Sequence, residues 1–246
     1  MAELDRVVKL LNKEVGVRGV PDVAINGLQV RASRNVKRVG LTTDACMDSF
    51  LKAKRLGCDL LVVHHGIFLK GKRDIAGIAK RRAAFLKKNH ISLYAAHLPL
   101  DKSMRYGHNA YLLRLVGAKP SKIFNGIGYS GFLDKKMSVA SIRKLLDKGL
   151  GTKSVVWGFG NGKVRKIAAV SGAGGADIEE AVRQGVELFV TGEANSWNYY
   201  DAKEGKINVV LAGHYKTETS GVKALGKMLE KKLGIETSFI DVPTGL

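Results

Sequence analysis

The sequence predicts an α/β protein in which two pseudo-symmetric β-α-β halves form a largely parallel or mixed sheet structure covered by helices. Three observations predict it. Short, unbroken apolar runs such as 60–63 and 209–211 alternate with amphipathic stretches, the pattern of strands buried on both faces by crossover helices. Residues 36–65 (VKRVGLTTDACMDSFLKAKRLGCDLLVVHH) align without a gap on 164–193 (VRKIAAVSGAGGADIEEAVRQGVELFVTGE). Finally, four of the six histidines stand where apolar runs end, at the strand ends where open α/β sheets collect their chemistry.

The chain opens on MAELDRVVKLLNKEV, whose acids and apolar spacing predict an amphipathic helix rather than a cleaved leader. The first repeat then reads as strand, turn, helix ended by Gly57, and strand. Its equivalent pairs Val36 with Val164, Ala53 with Ala181, Gly57 with Gly185, Asp59 with Glu187 and Val62 with Val190. A second block sets AAHLPLD (95–101) on AGHYKTE (212–218), so that His97 meets His214, Asp101 meets Glu218 and, further on, Gly117 meets Gly234. The expected organisation is one unit built by duplication, with a first half at about 1–117 and a second at 164–246. Residues 118–163 between them carry glycine-punctuated apolar runs around one predicted helix, 139–148, and are read as strands extending the fold. The 29 glycines, well above the usual ~7 % of residues, fit a framework of tight strand-to-helix turns.

Composition narrows the class. The chain has 246 residues, 45 % of them hydrophobic and 26 % charged, which excludes disorder as the dominant state. No apolar run approaches the ~18 residues a bilayer span needs, so no membrane and a cytoplasmic location are expected. Cys46 and Cys58 are too few for a disulfide framework and do not form a CxxC site. The 41 Lys and Arg against 22 Asp and Glu give a net charge of +19, a field that attracts polyanions and keeps nucleic acid or a phosphorylated substrate in view. The basic residues are spread through helical stretches, as at Lys80, Arg81, Arg82, Lys87 and Lys88, where they suit a solvated face.

The strand ends carry His64 and His65 (LVVHH), His97 (LYAAH), Glu193 (LFVTGE) and His214 (VVLAGH), and Asp101 and Glu218 each follow a strand-end histidine by four residues. Imidazoles and carboxylates converging in this way suit a borderline divalent metal. Adjacent residues leaving a strand diverge, so His64 and His65 are expected to serve two ions rather than one. With Glu218 bridging, His65 and Asp101 complete one site and His64 and His214 the other, each ion keeping the open positions of a catalytic centre. His97 is a further ligand, an orienting residue or a proton shuttle; Glu193 is a general base or a surface acid. Thr43 and Asp44 either line the pocket or cap a helix, and Glu218 alone would also suit a helix cap. The glycines of SGAGGAD (171–177) could cradle an anion, but they match no Walker motif, and close strand–helix packing explains them equally. No GxSxG nucleophile elbow is present.

VVHHGIF, HLPLD, LFVTGE and above all AGHYKTETSGVKALG together resemble the Nif-three-like family of dinuclear-metal proteins, often labelled GTP cyclohydrolase 1 type 2 homologues. The resemblance runs from NGLQV (26–30) to near the C-terminus. It implies a Nif-three-like fold, metal ligands at His64, His65, Asp101, His214 and Glu218, and a homohexameric toroid, a trimer of dimers whose metal sites face an internal cavity. HLPLD stands in place of the family's commoner His-Thr-Asn-Leu-Asp, and 118–163 leaves no room for the domain some members insert. The label implies opening of the imidazole ring of a guanine nucleotide with release of formate; a broader metal-dependent hydrolase acting on a nucleotide or phosphorylated substrate needs the same parts. Two divalent ions per chain are expected, with zinc, iron, manganese, cobalt and nickel all compatible with mixed His/carboxylate ligation. Readings from other classes are a non-catalytic metal-containing ring that binds nucleic acid through its basic surface, and metal storage or a metal chaperone.

Overall fold

The computed structural model describes residues 1–17, 19–71, 74 and 76–246. In chain order the elements begin with β1 (Ala2–Glu3), α1 (Leu4–Val15), β2 (Gly27–Val30), β3 (Asn35–Val36) and β4 (Arg38–Asp44). They continue through α2 (Met47–Arg55), β5 (Leu60–His65), α3 (Ile78–Lys88), β6 (Ser92–Ala95), α4 (Leu98–Asp101), α5 (His108–Leu115), β7 (Lys119–Phe124) and β8 (Gly128–Ser138). Then come α6 (Val139–Leu150), β9 (Val155–Gly158), β10 (Lys163–Val170), a short 3-10 turn (Gly174–Asp177), α7 (Ile178–Arg183), β11 (Leu188–Thr191), α8 (Ser196–Glu204) and β12 (Asn208–Leu211). The chain ends with α9 (His214–Thr217), α10 (Thr219–Leu233) and β13 (Glu236–Phe239).

Among the described residues the strands form a five-stranded sheet, β13-β4-β5-β6-β2, a six-stranded sheet, β7-β8-β10-β11-β12-β9, and the small pair β1-β3. Both large sheets are mixed. β13, β4, β5 and β6 run parallel with β2 antiparallel at the edge, and β10, β11 and β12 run parallel between antiparallel neighbours. The expected mixed α/β architecture is therefore present. No described helix is long and apolar enough to cross a membrane.

The two aligned segments pair their strands in equivalent registers. Val39 pairs with Leu60 and Thr42 with Val63 in the first β-α-β unit, as their equivalents Ile167 and Val170 pair with Leu188 and Thr191 in the second. The equivalent acid locks each pairing from its lower end. Asp59 Oδ2 accepts the backbone N–H groups of Lys37 and Arg38 at 2.7 and 3.1 Å; Glu187 Oε2 accepts those of Arg165 and Lys166 at 2.7 and 2.8 Å. Helices form where the apolar spacing places them. α1 buries Leu4, Val7, Leu11 and Val15 along one stripe and stops at left-handed Gly16, whose N–H bonds Asn12 O. α6 is capped by Ser138, whose side chain accepts the Ser141 N–H, and ends at left-handed Gly151.

Packing divides the chain into two compact units, Met1–Leu100 with Gly221–Val242, and Asp101–Ser220 with Pro243–Leu246. This differs from the halves at about 1–117 and 164–246 read from the repeat. The last helix and strand of each repeat are exchanged: α5 and β7 belong to the unit of the six-stranded sheet, while most of α10 and all of β13 belong to that of the five-stranded sheet. The cause is apolar burial. Leu112, Leu113 and Val116 share a core with Ile142, Ile167 and Val190, and Ile240 shares one with Phe50, Leu61 and Leu93. α10 presses so closely on β4 that a Cβ on Gly226 would meet Leu41 Cδ1 at 2.2 Å. The segment 118–163 supplies β7, β8 and β9 to the six-stranded sheet. The opposite face of that sheet packs Ile178, Ala181 and Ala202 of α7 and α8 over Ala168, Phe189 and Val209.

Candidate metal centre

In the first unit, β5 runs through four apolar residues with no exposure and delivers His64 (1 % exposed) and His65 to its carboxyl end. His97 follows the end of the adjacent parallel strand β6. The three rings form a cluster, with centroids 4.6 Å apart for His64–His65, 5.0 Å for His64–His97 and 5.5 Å for His65–His97. One ligand nitrogen from each lies within 4.8 Å of the others. Each of the two neighbouring rings is set by its own anchor. His64 Nδ1 donates to Ala96 O at 2.9 Å, and His65 Nδ1 bonds Asp44 Oδ1 at 2.8 Å, so each ring is turned by a group fixed at a neighbouring strand end.

His97 is held the same way by a residue that the sequence reading did not single out. Asp22 Oδ1 and Oδ2 lie 2.9 and 3.1 Å from His97 Nδ1. The same carboxylate accepts the N–H groups of Ala24 and Leu98 and the Asn26 amide, and its side chain is 1 % exposed. Burial disfavours the Asp22 charge, but the hydrogen bonds from Asn26, His97 and Ala24 outweigh it and hold the carboxyl below its ordinary range. Burial and the neighbouring His64 push His97 below the ordinary histidine value despite Asp22. It is therefore a neutral imidazole at pH 7, with Nδ1 protonated toward Asp22 and the lone pair on Nε2. No local pattern marks Asp22; it lies 75 residues from the ring it holds.

In the second unit His214 opens α9, just past β12. Its Nδ1 bonds Glu193 Oε1 at 2.9 Å, and its Nε2 lies 3.1 Å from Glu218 Oε2. The hydrogen bond to Glu218 raises His214 to about 9 against the cost of burial, and Glu193 adds to the shift. Two carboxylates on one imidazole make a field that demands a cation. Glu218 is 4 % exposed and rests in a cradle made by glycine: a Cβ on Gly172, at φ +62, would meet Glu218 Oε1 at 2.1 Å and His214 Nε2 at 3.1 Å. Asp101, 5 % exposed, accepts the Ser171 hydroxyl at 3.0 Å. One of its oxygens lies within 4.8 Å of a ring nitrogen of His108, a wholly buried residue.

Of the remaining expected residues, Thr43 is fully buried, one position before Asp44. Asp44 and Glu193 each sit on a histidine Nδ1. Of the other glycines of 171–177, Gly175 serves packing: a Cβ there would meet Asn198 Oδ1 at 2.6 Å and Ala194 at 2.7 Å. Taken ring by ring, His64, His65, His97 and His214 all have Nδ1 occupied by a carbonyl or carboxylate, which directs Nε2 outward as the ligand atom, the arrangement typical of metal-binding histidines. The donor set is nitrogen and carboxylate oxygen, without thiolate, and it fits borderline divalent ions.

The sequence profile of DUF34/NIF3 (NGG1p interacting factor 3) matches residues 2–245. The chain belongs to this NIF3 family. Among its NIF3 relatives, a protein named GTP cyclohydrolase 1 type 2 homolog from Archaeoglobus fulgidus is 45 % identical over 248 residues, covering 99 % of each chain. A protein of the same name from Escherichia coli K12 is 32 % identical over 237 residues, with 96 % of each covered. The crystal structure of TTHA1606 from Thermus thermophilus superimposes with a TM-score of 0.92 at 35 % identity, covering 99 % of this NIF3 chain and 100 % of that one.

Proposed function

We propose that this NIF3 protein is a dinuclear divalent-metal hydrolase acting on a nucleotide or phosphorylated substrate. The observation that carries the reading is the common treatment of four strand-end histidines, each with Nδ1 held by an acceptor so that Nε2 is presented as a ligand. His64, His65, Asp101, His214 and Glu218 would hold the two ions, with Glu218 shared. Bound there, divalent ions supply Lewis acidity and activate water near neutral pH.

The chain's own residues do the rest. Asp44 and Glu193 position His65 and His214. His97, neutral and fixed by Asp22 with its basic nitrogen at Nε2, takes up a proton and returns it to the leaving group. Glu193 is thereby assigned to positioning, and the proton-handling role falls to His97. The family's names favour a guanine nucleotide as the first substrate to try, with assembly as a homohexameric ring and a cytoplasmic location as accompanying expectations.

The test is the metal-to-chain ratio of protein purified without chelators, followed by assays for formate from GTP and for phosphate from nucleotides. A ratio near two with turnover abolished in His64→Ala supports the reading. A ratio near two with no turnover on any of these substrates favours metal storage, and a ratio near zero that added metal cannot raise overturns the metal centre itself.

A further inference from the structure

The charge of +19 is not accounted for by a metal centre, and the six-stranded sheet shows where part of it gathers. Across β7, β8 and β10, Asp134 is the only acid among several lysines and an arginine. In the middle of these strands stands Phe132, 48 % exposed. Lys119 on β7 and Lys166 on β10 are its direct cross-strand partners, so both share its face at about 5 Å between Cβ atoms. Lys122 is opposite Ser130, the next residue of β8 on that face. An aromatic ring thus lies open on a sheet surface with a lysine on each side.

Competing uses of these groups are weak. Lys119 pairs with Asp134 at 3.0 Å, but both side chains are more than three-quarters exposed, and such a pair contributes little. Lys166 Nζ donates to the Gln184 carbonyl at the helix end, an uncharged acceptor. Ile123, the other exposed apolar residue of the hairpin, is opposite Tyr129, whose side chain lies in the core of the other face. Among the described residues of the hairpin, Phe132 therefore has no exposed apolar companion on its face. A protein interface wants an apolar centre depleted of lysine; a lone ring among lysines suits a flat base stacked between phosphates.

We propose that Phe132, with Lys119, Lys122 and Lys166, is a stacking platform for single-stranded nucleic acid. Stacking a base on an exposed ring requires that base to be unpaired, so duplex is disfavoured. This function is independent of the metal centre and of whether that centre is catalytic.

The experiment is fluorescence anisotropy of a labelled 15-residue oligothymidine titrated with the full-length native protein. Three lysine–phosphate contacts give a log–log salt slope of about −2, since each contributes ~0.7 on a single strand. Phe132→Ala is expected to weaken binding about tenfold and Phe132→Tyr to retain it, because the ring and not the hydrophobicity is used. Lys122→Glu should weaken binding and flatten the slope by at least ~0.7. Phe132 is exposed, so the variants keep their fold, and circular dichroism melts check this. The proposal is overturned if no binding occurs at low salt, if Phe132→Ala binds as the native chain does, or if duplex of equal length binds as tightly. It is equally overturned if Phe132→Ala changes only the oligomeric state by light scattering, which would make this face a contact between copies.

Discussion

Asp22 is the residue whose removal says most about the site. Its carboxylate accepts N–H donors from Ala24 and His97 on Oδ1 at 2.9 Å each, and from Asn26 and Leu98 on Oδ2 at 2.8 and 3.0 Å. Asp22→Asn keeps the shape but replaces one oxygen by an amino group, so in either orientation two of these donors face another donor. Leaving a buried donor unmade costs about 1–3 kcal/mol, and two predict a loss of about 3 kcal/mol of unfolding free energy, measured by urea titration. His97 reports the same change. Asp22 now raises its pKa against burial and the charge of His64; without that charge, His97 should titrate lower still, which an NMR titration of the ring protons reads. The acid limb carries a third signature. The folded carboxyl lies below its ordinary value, so its stabilising effect is fully present above the unfolded value near ~4 and is lost as pH falls through the depressed folded one. Asp22→Asn removes this contribution and should make the acid limb shallower. A variant that unfolds within about 1 kcal/mol of native, with the His97 titration unmoved, would refute the seating of this carboxylate.

Other expectations concern the rest of the site and the thiols. Gly172→Ala forces a Cβ to within 2.1 Å of Glu218 Oε1 at φ +62; it should cost about 1–2 kcal/mol in backbone strain alone and displace Glu218, seen as a fall in metal content by elemental analysis. Glu193→Gln, which weakens the acceptor on His214 Nδ1, should lower metal affinity ~10–100-fold in competition with a chelator, while unchanged affinity would mean that Glu193 does not position His214. Burial pushes the Cys58 thiol up to about 11, so iodoacetamide at pH 8 should label the half-buried Cys46 and spare Cys58, as peptide mapping would show.

How far the sequence reached follows from the range of the forces involved. Strand and helix identity, the duplication and the strand-end histidines depend on neighbours along the chain, where the period of apolar residues reports burial directly; the matching registers of β4–β5 and β10–β11 are that local pattern expressed twice. The candidate ligands are legible for the same reason, since a strand and the loop after it place them. What sequence could not decide are pairings between distant segments. Asp22 finds His97 across 75 residues, and His108 becomes a buried neighbour of Asp101 only once α5 packs. The exchange of α5 with β7 and of α10 with β13 belongs to the same class, because an apolar helix face is complementary to more than one sheet. Only the full set of packed side chains, Leu112 and Leu113 against Ile167, and Gly226 against Leu41, selects which one it covers.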